Sequence, residues 1–314
     1  MNTIPLGNSS LHTSRLSYGC WRLAGSWESS HVTPEKEAHG RAAAVAAYEA
    51  GYTLFDHADI YCSGVAESIF GQVLAEVTGM RESILIATKC GIRKGGEPTP
   101  RTPYRYDFSG DYIVWSCEQS LKRLGVETID LYQLHRPDYL CQPDEVAAAF
   151  AKLKETGKVR EFGVSNFRPS QVRMLQRACP FPLLVNQIEI SLGHLAPFED
   201  GTLDQCIEDK LTPMAWSPLA GGRLGAALAV DLHDPDHARK LKLLETLELV
   251  ARERGTSRLV VALAWLLKHP SGIVPIVGST QPDRIREAVT ATEVELSREE
   301  WYQLLDAARG QRLP

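Results

Sequence analysis

Four side chains with complementary chemistry follow short apolar runs in this chain. Asp56 and Tyr61 come after Tyr52–Phe55, Lys89 ends the run Ser83–Thr88, and His135 ends Ile129–Leu134. Ionisable groups at the end of a buried segment are costly unless something partners them, so what partners them is the first question. A tyrosine with a reference pKa of about 10 is a poor proton donor near neutrality unless a cation favours its phenolate. Lys89 could be that cation, Asp56 could hold the ammonium charged, and His135 could donate a second hydrogen bond to a substrate oxygen. Such a set protonates a carbonyl oxygen while a hydride reaches the carbon from elsewhere. No side chain donates hydride, so a cofactor is implied.

A second group suits that cofactor. Ser165, Asn166 and Gln187 could hydrogen-bond a carboxamide, and Trp216 could pack beside its ring. Gly221 and Gly222 would let backbone amides approach a pyrophosphate. Gly278-Ser279-Thr280 precedes a helix start at Pro282, a common phosphate site, and Arg284 in the first turn could pair with an adenosine phosphate.

The elements that must position these residues alternate along the chain. Turn signals at Pro5 and Gly7–Ser10 predict a small hairpin over residues 1–15. Strands are expected at 16–20, 52–55, 83–88, 129–134, 160–164, 183–186, 212–216 and 273–277, with helices at 36–50, 66–77, 111–124, 144–156, 169–178, 203–209, 237–254, 257–268, 282–292 and 297–308. Thr33-Pro34-Glu35 carries an N-cap and first-turn proline, and Gly51, Gly125 and Gly157 stop helices. Strands separated by helices imply a parallel sheet with right-handed crossovers, and eight units favour a closed (β/α)8 barrel, an α/β fold, over a doubly wound sheet. The first strand ends in Gly19-Cys20-Trp21-Arg22, with no G-x-G-x-x-G turn. In a barrel, all the strand exits above meet on one face. Residues 92–109, rich in Gly, Pro, Arg and Tyr, are read as an excursion over that face. One domain over 1–314 is expected.

The composition excludes several classes. With 34 basic and 39 acidic residues well mixed, the net charge of -5 offers no nucleic-acid patch and no juxtamembrane cluster. No window approaches the length of a membrane span and the start lacks a signal-peptide pattern, so a cytoplasmic protein with small-molecule partners is expected. Seven cysteines without C-x-x-C spacing suggest neither disulfides nor zinc. Cys20, Cys62 and Cys90 flank the site as spectators that oxidation could turn inhibitory. Trp115, Trp265 and Trp301 read as core or interhelical packing, His57 as alternating away from Asp56, and Trp21, Trp27 and Tyr106 as candidates for a substrate pocket. Each site residue also has a plainer reading: Asp56 with Lys89 an ion pair, His135 a loop cap, Tyr61 rim packing.

The motifs GYTLFDHADIY, IATKCG, LHRPD, GKVREFGVSNF, VNQIEIS, AWSPLAGG and IVGSTQPDRI stand in the order and spacing of one family. Along nearly its whole length the chain resembles the aldo-keto reductases. The resemblance implies a (β/α)8 barrel and reduction of aldehydes or ketones by direct hydride transfer from NADPH, with NADH possible and no metal. By motif, Tyr61 would be the general acid, Lys89 and Asp56 its tuning pair and His135 the orienting donor. Gly19, Cys20, Trp21, Asp56, Ser165, Asn166, Gln187 and Trp216 would surround the nicotinamide end. Ser217, Pro218, Leu219, Gly221, Gly222, Arg223, Val277, Gly278, Ser279, Thr280, Arg284 and Glu287 would line the pyrophosphate and adenosine end, Glu287 reaching the adenine amine. Many members of the family carry a lysine where Gly278 stands, which leaves Ser279, Thr280 and Arg284 to bind the extra phosphate of NADPH.

Two other functions fit parts of the pattern. A nicotinamide-binding regulatory subunit resembling potassium-channel β subunits would keep the same four residues. A barrel aldolase or isomerase using Lys89 as a Schiff base would need that lysine free of its acid. Specificity is expected from the loops at 21–30, 92–109, 192–200 and 222–236, and Arg22, Arg93 and Arg136 near strand exits would suit an acidic or phosphorylated carbonyl substrate. A monomer is expected.

Overall fold

The computed structural model describes residues 1–225 and 233–313. Eight parallel strands close a barrel: β1 (Ser17–Gly19), β2 (Leu54–Asp56), β3 (Leu85–Cys90), β4 (Ile129–Leu134), β5 (Val159–Ser165), β6 (Leu183–Glu189), β7 (Thr212–Trp216) and β8 (Val274–Val277). Each strand pairs with its sequence neighbours, and β8 closes onto β1. The strands are apolar on both faces because one face fills the barrel and the other packs under helices. Leu54, Ala87, Leu131, Val185, Met214 and Val274 form the interior cluster, and Leu6 and Leu11 join it from the hairpin Thr3–Pro5/His12–Ser14 that plugs the amino-terminal end. Gly7 closes that plug: at φ +55° a Cβ there would stand 2.5 Å from the Leu184 carbonyl oxygen.

The expected elements form with small shifts. The third strand begins at Leu85 instead of Ser83, because Met80–Ser83 makes a helical turn in which Ser83 Oγ bonds Gly79 O and Met80 O. The sixth strand runs on through Gln187 to Glu189. The excursion at 92–109 holds a short ribbon, Ile92–Arg93 paired with Arg105–Tyr106. Of the insertion at 222–236, residues 226–232 lie outside the described residues.

One tryptophan departs from expectation. Trp115 is 53% exposed. Its helix, Gly110–Leu124, buries Ile113, Cys117, Leu121 and Leu124 on one stripe, and Trp115 falls on the opposite side at 100° per residue. Trp265 and Trp301 do pack between helices, with rings stacked 4.9 Å apart and each indole N–H donating to the other's carbonyl.

Behind the barrel wall, buried carboxylates tie helices to the strand exits. Glu67 accepts from Thr88 Oγ1 at 2.6 Å and Arg123 Nε at 2.7 Å. Asp59, three residues past β2, accepts from Ser116 and Tyr112, while its amide donates to the Lys89 carbonyl. Burial, and then the Glu67 carboxylate, push the Asp59 carboxyl up to about 7 against the pull of those hydroxyls and of Arg123.

Two outcomes follow from this packing. In the helix Pro34–Glu49, a Cβ on Gly40 would come 2.0 Å from Leu23 O, in the loop leaving β1. Gly40→Ala should therefore destabilise the fold by about 1–3 kcal/mol in urea titration, although alanine alone favours helix by about 1 kcal/mol. For Asp59, a carboxyl titrating near 7 when folded and near 3.9 when unfolded keeps its proton longer in the folded chain. Its contribution is full below pH 4 and is lost as pH rises through 7. The Tm of Asp59→Asn should fall less than that of wild type between pH 5 and 8, and parallel curves would contradict this.

Candidate active site

The centre of the site is an ammonium inside the barrel. Lys89, fully buried on β3, donates to both Asp56 carboxylate oxygens at 2.8 Å, to His57 O at 2.6 Å and to Tyr61 Oη at 3.3 Å. Gln187 Nε2 adds a bond to Asp56 Oδ1 at 2.7 Å, so the carboxylate is held from two strands. Burial alone would lower the Lys89 pKa, but the Asp56 charge and then Tyr61 outweigh it and the net shift is upward. Lys89 is an ammonium pinned to its acid, which removes the support for a Schiff-base role.

Tyr61 opens a short turn, Tyr61–Gly64, in which Cys62 and Ser63 both take left-handed backbone (φ +48° and +55°). This turn brings the phenol back over Lys89. Burial raises the Tyr61 pKa, Lys89 draws it down, and burial prevails. The expectation that the cation sets a lowered pKa is corrected accordingly: desolvation of the phenolate costs more than the ammonium returns, and the phenol holds its proton at neutral pH. The His135 ring stands edge-on to Tyr61 at 6.0 Å. Burial, then Lys89 and Arg136, push its pKa well below the usual histidine value, so it is neutral. His57 points away, against Phe70 at 4.5 Å, and only its carbonyl serves the site.

Tyr61, Asp56 and His135 lie on one wall of a cleft of about 710 Å³, and Lys89 sits just beneath them. The rest of that wall brings together Gly19, Trp21, Ser165, Asn166, Gln187, Trp216, Ser217, Pro218, Leu219, Gly221, Gly222, Val277, Gly278, Ser279, Arg284 and Glu287. Three expected contacts are not on it. Cys20 is fully buried, with its thiol turned toward Tyr18 O, because the strand ends at Gly19 and the 3-10 turn Cys20–Arg22 packs Cys20 beneath the helices while Trp21 takes the cleft side. Arg223 and Thr280 also lie off the wall.

The polar groups on the wall are wired together. Asn166, at φ +63°, donates to Ser165 Oγ and His135 O and accepts from Trp216 Nε1 at 2.9 Å. Ser165 Oγ donates to Gln187 O. Gln187 Oε1 has no partner among the described residues and remains an acceptor on the cleft. Arg136 lays its guanidinium 5.5 Å above the Trp216 ring. Where the lysine of many family members would stand, the Trp21 indole closes over Gly278: a Cβ there would be 3.1 Å from Trp21 Nε1. Glu287, expected at an adenine, accepts from Ser257 Oγ at 2.5 Å.

Some wall residues have no signal in the sequence. Glu28, Ile60, Leu259 and Ser257 arrive through loop paths and helix starts, while Arg22 and Arg136, expected near the substrate, do line the cleft. Ile92, Lys94 and Tyr104 come from the excursion at 92–109; within it Tyr104, and not Tyr106, reaches the wall, with Tyr106 against it at 6.0 Å. Trp21 and Trp27 pack 5.1 Å apart and Trp27 meets Tyr61 at 6.4 Å, making a continuous aromatic side. Of the arginines expected to suit an acidic substrate, Arg93 is paired with Asp107.

Comparison with known proteins bears on the family and the fold. The 6-dehydroglucose reductase of Novosphingobium aromaticivorans is 42% identical over 98% of this chain and 96% of its own length. The oxidoreductase YdhF of Escherichia coli is 39% identical over 96% and 95%. The glycerol dehydrogenase structure from Gluconobacter oxydans, 28% identical, superposes with a TM-score of 0.86 over 98% of this chain and 95% of that one. The sequence profile of the Aldo/keto reductase family matches residues 15–309, and the chain belongs to that family.

Proposed function

We propose that the chain reduces aldehydes or ketones to alcohols with NADPH, or with NADH, through Tyr61 as general acid. The observation that carries this reading is the single ammonium of Lys89 shared by Asp56 and Tyr61 at the base of the cleft. A protonated phenol beside a fixed cation can give its proton to a carbonyl oxygen and leave a phenolate that the cation stabilises at once. Neutral His135 donates to the same oxygen and fixes the carbonyl's orientation. Asp56, held by Gln187, keeps Lys89 charged and in place.

The wall fits a nicotinamide dinucleotide. Gln187 Oε1 is an unfilled acceptor for a carboxamide, with Ser165 and Asn166 beside it and Trp216 alongside the ring position. Gly222 meets nothing within 4 Å of a Cβ position and Gly221 meets only Arg223 Nη1 at 3.9 Å, so their backbone is open to a pyrophosphate. Arg284, on the wall without an ion pair among the described residues, is the cation for an adenosine phosphate. When bound, the reduced nicotinamide supplies a hydride to the carbonyl carbon, and the proton from Tyr61 completes the alcohol.

Substrate choice falls to the outer wall. Trp27 and Tyr104 offer apolar faces while Arg22, Glu28, Lys94 and Arg136 offer hydrogen-bonding groups. That mixture suits a polyhydroxylated carbonyl, and the relative named as a 6-dehydroglucose reductase supports placing sugar-derived carbonyls first among substrates.

Oxidation of NADPH and NADH should be followed in parallel against sugar-derived, aromatic and dicarbonyl substrates. Tyr61→Phe should lower kcat by about 10²–10⁴-fold with cofactor Kd unchanged, and undiminished turnover would remove Tyr61 from the mechanism. Arg284→Ala should weaken NADPH about tenfold in fluorescence titration and leave NADH within twofold. Equal weakening of both would place the extra phosphate elsewhere.

A further inference from the structure

The barrel interior holds a second strand-borne amide with no role in the scheme above. Gln133 on β4 is fully buried, and neither its Oε1 nor its Nε2 has a hydrogen-bond partner among the described residues. A buried primary amide left with four unmet bonding sites is rare, because each lost bond costs of order 1–3 kcal/mol. The third orphan nearby is Nδ1 of His135.

Register brings these atoms to one place. Gln133 pairs with Lys89 on one side and Gly163 on the other. Lys89 turns inward to Asp56, so Gln133, at the same level of the pleat, also turns inward. His135 extends the ladder through its amide, which donates to Cys90 O at 2.8 Å. Two residues along an extended strand, its side chain shares the face of Gln133, about 6.6 Å further up by strand rise. With Gln133 Nε2 and His135 Nδ1 both unpartnered among the described residues, a glutamine side chain spans that interval with one bridging water.

We propose that Gln133 is a positioning residue for His135: its amide N–H donates through one bridging water to Nδ1 and thereby holds the imidazole proton on Nε2. The proposal rests on the reductase reading, in which Nε2–H faces the substrate oxygen. A neutral imidazole has one proton for two nitrogens, and the bond made at one nitrogen selects the tautomer. With Nδ1 receiving a donor, Nε2 must carry the hydrogen the carbonyl needs. Other groups are poor candidates for the amide. The Lys89 protons are taken by Asp56, His57 O and Tyr61, and the orphaned His57 ring lies outside the barrel against Phe70. Ser17 Oγ, the remaining interior orphan, belongs to β1 across the barrel.

The test uses protein labelled with ¹⁵N-histidine, the His135 signals being assigned by their loss in His135→Phe. Wild type should show His135 as the Nε2–H tautomer. In Gln133→Leu the two ring-nitrogen shifts should move toward each other and kcat should fall about five- to tenfold, with cofactor Kd unchanged and Tm no lower. Gln133→Glu, whose carboxylate accepts from Nδ1–H, should reverse the tautomer and lower kcat further. An Nδ1–H tautomer in wild type, or ring-nitrogen shifts unmoved in Gln133→Leu, would overturn the proposal. So would a Ser17→Ala variant that reproduces the loss in kcat with His135 unchanged. The nitrogen shifts are read without turnover, so failure of Tyr61→Phe to abolish reduction would count against the reductase reading and not against the placement of Gln133.

Discussion

An ammonium and a carboxylate buried together inside the barrel constrain everything around them. Taking the Lys89 and Asp56 charges from water costs several kcal/mol each, and their attraction recovers it only if the remaining lone pairs and protons are met. The structure meets them with Gln187 from β6, the His57 carbonyl from the β2 exit and the Tyr61 phenol. The partners come from two distant parts of the chain, the loop leaving β2 and the strand β6. The pair therefore acts as a keystone: the strands must hold register for it to be satisfied, and once satisfied it fixes where the phenol sits.

The electrostatics follow from that arrangement. Desolvation raises the Tyr61 pKa more than the ammonium lowers it, and it keeps His135 neutral next to two cations. Both groups thus hold their protons as the proposed reduction requires. In the proposed reduction the ammonium would matter most once the phenol had given up its proton, because it would then face a phenolate at hydrogen-bond distance.

Local strain collects where the chain leaves the barrel. Cys62, Ser63, Asn166, Ser217 and Ala220 adopt left-handed backbone without being glycine, and all stand in turns at the carboxyl ends of strands. Such conformations cost of order 1–3 kcal/mol and persist only when surrounding contacts hold them. Here they turn Tyr61 back over Lys89 and bring Asn166 between Ser165 and Trp216. At the far end of the cleft, the Trp21 indole covers Gly278, so the absence of a lysine is matched by an aromatic that needs the space.

The residue types and their periodicity were enough to read the barrel. Apolar runs ending in Asp56, Lys89, His135, Ser165 and Gln187, separated by capped helices, dictate parallel strands whose exits share one face. That reading needs only alternation and turn chemistry, which are local. The sequence could not tell that Cys20 packs beneath the helices while Trp21 takes the cleft, or that Tyr104 and not Tyr106 reaches the wall, whereas the helical period of Gly110–Leu124 by itself turns Trp115 to solvent. Nor could it show that Gln187 spends its N–H on Asp56, or that Gln133 stands below His135 in the barrel. These depend on loop paths, on strand register and on which of two competing effects prevails at a buried group. Such quantities are sums over neighbours distant in sequence, and only the closed barrel brings those neighbours together.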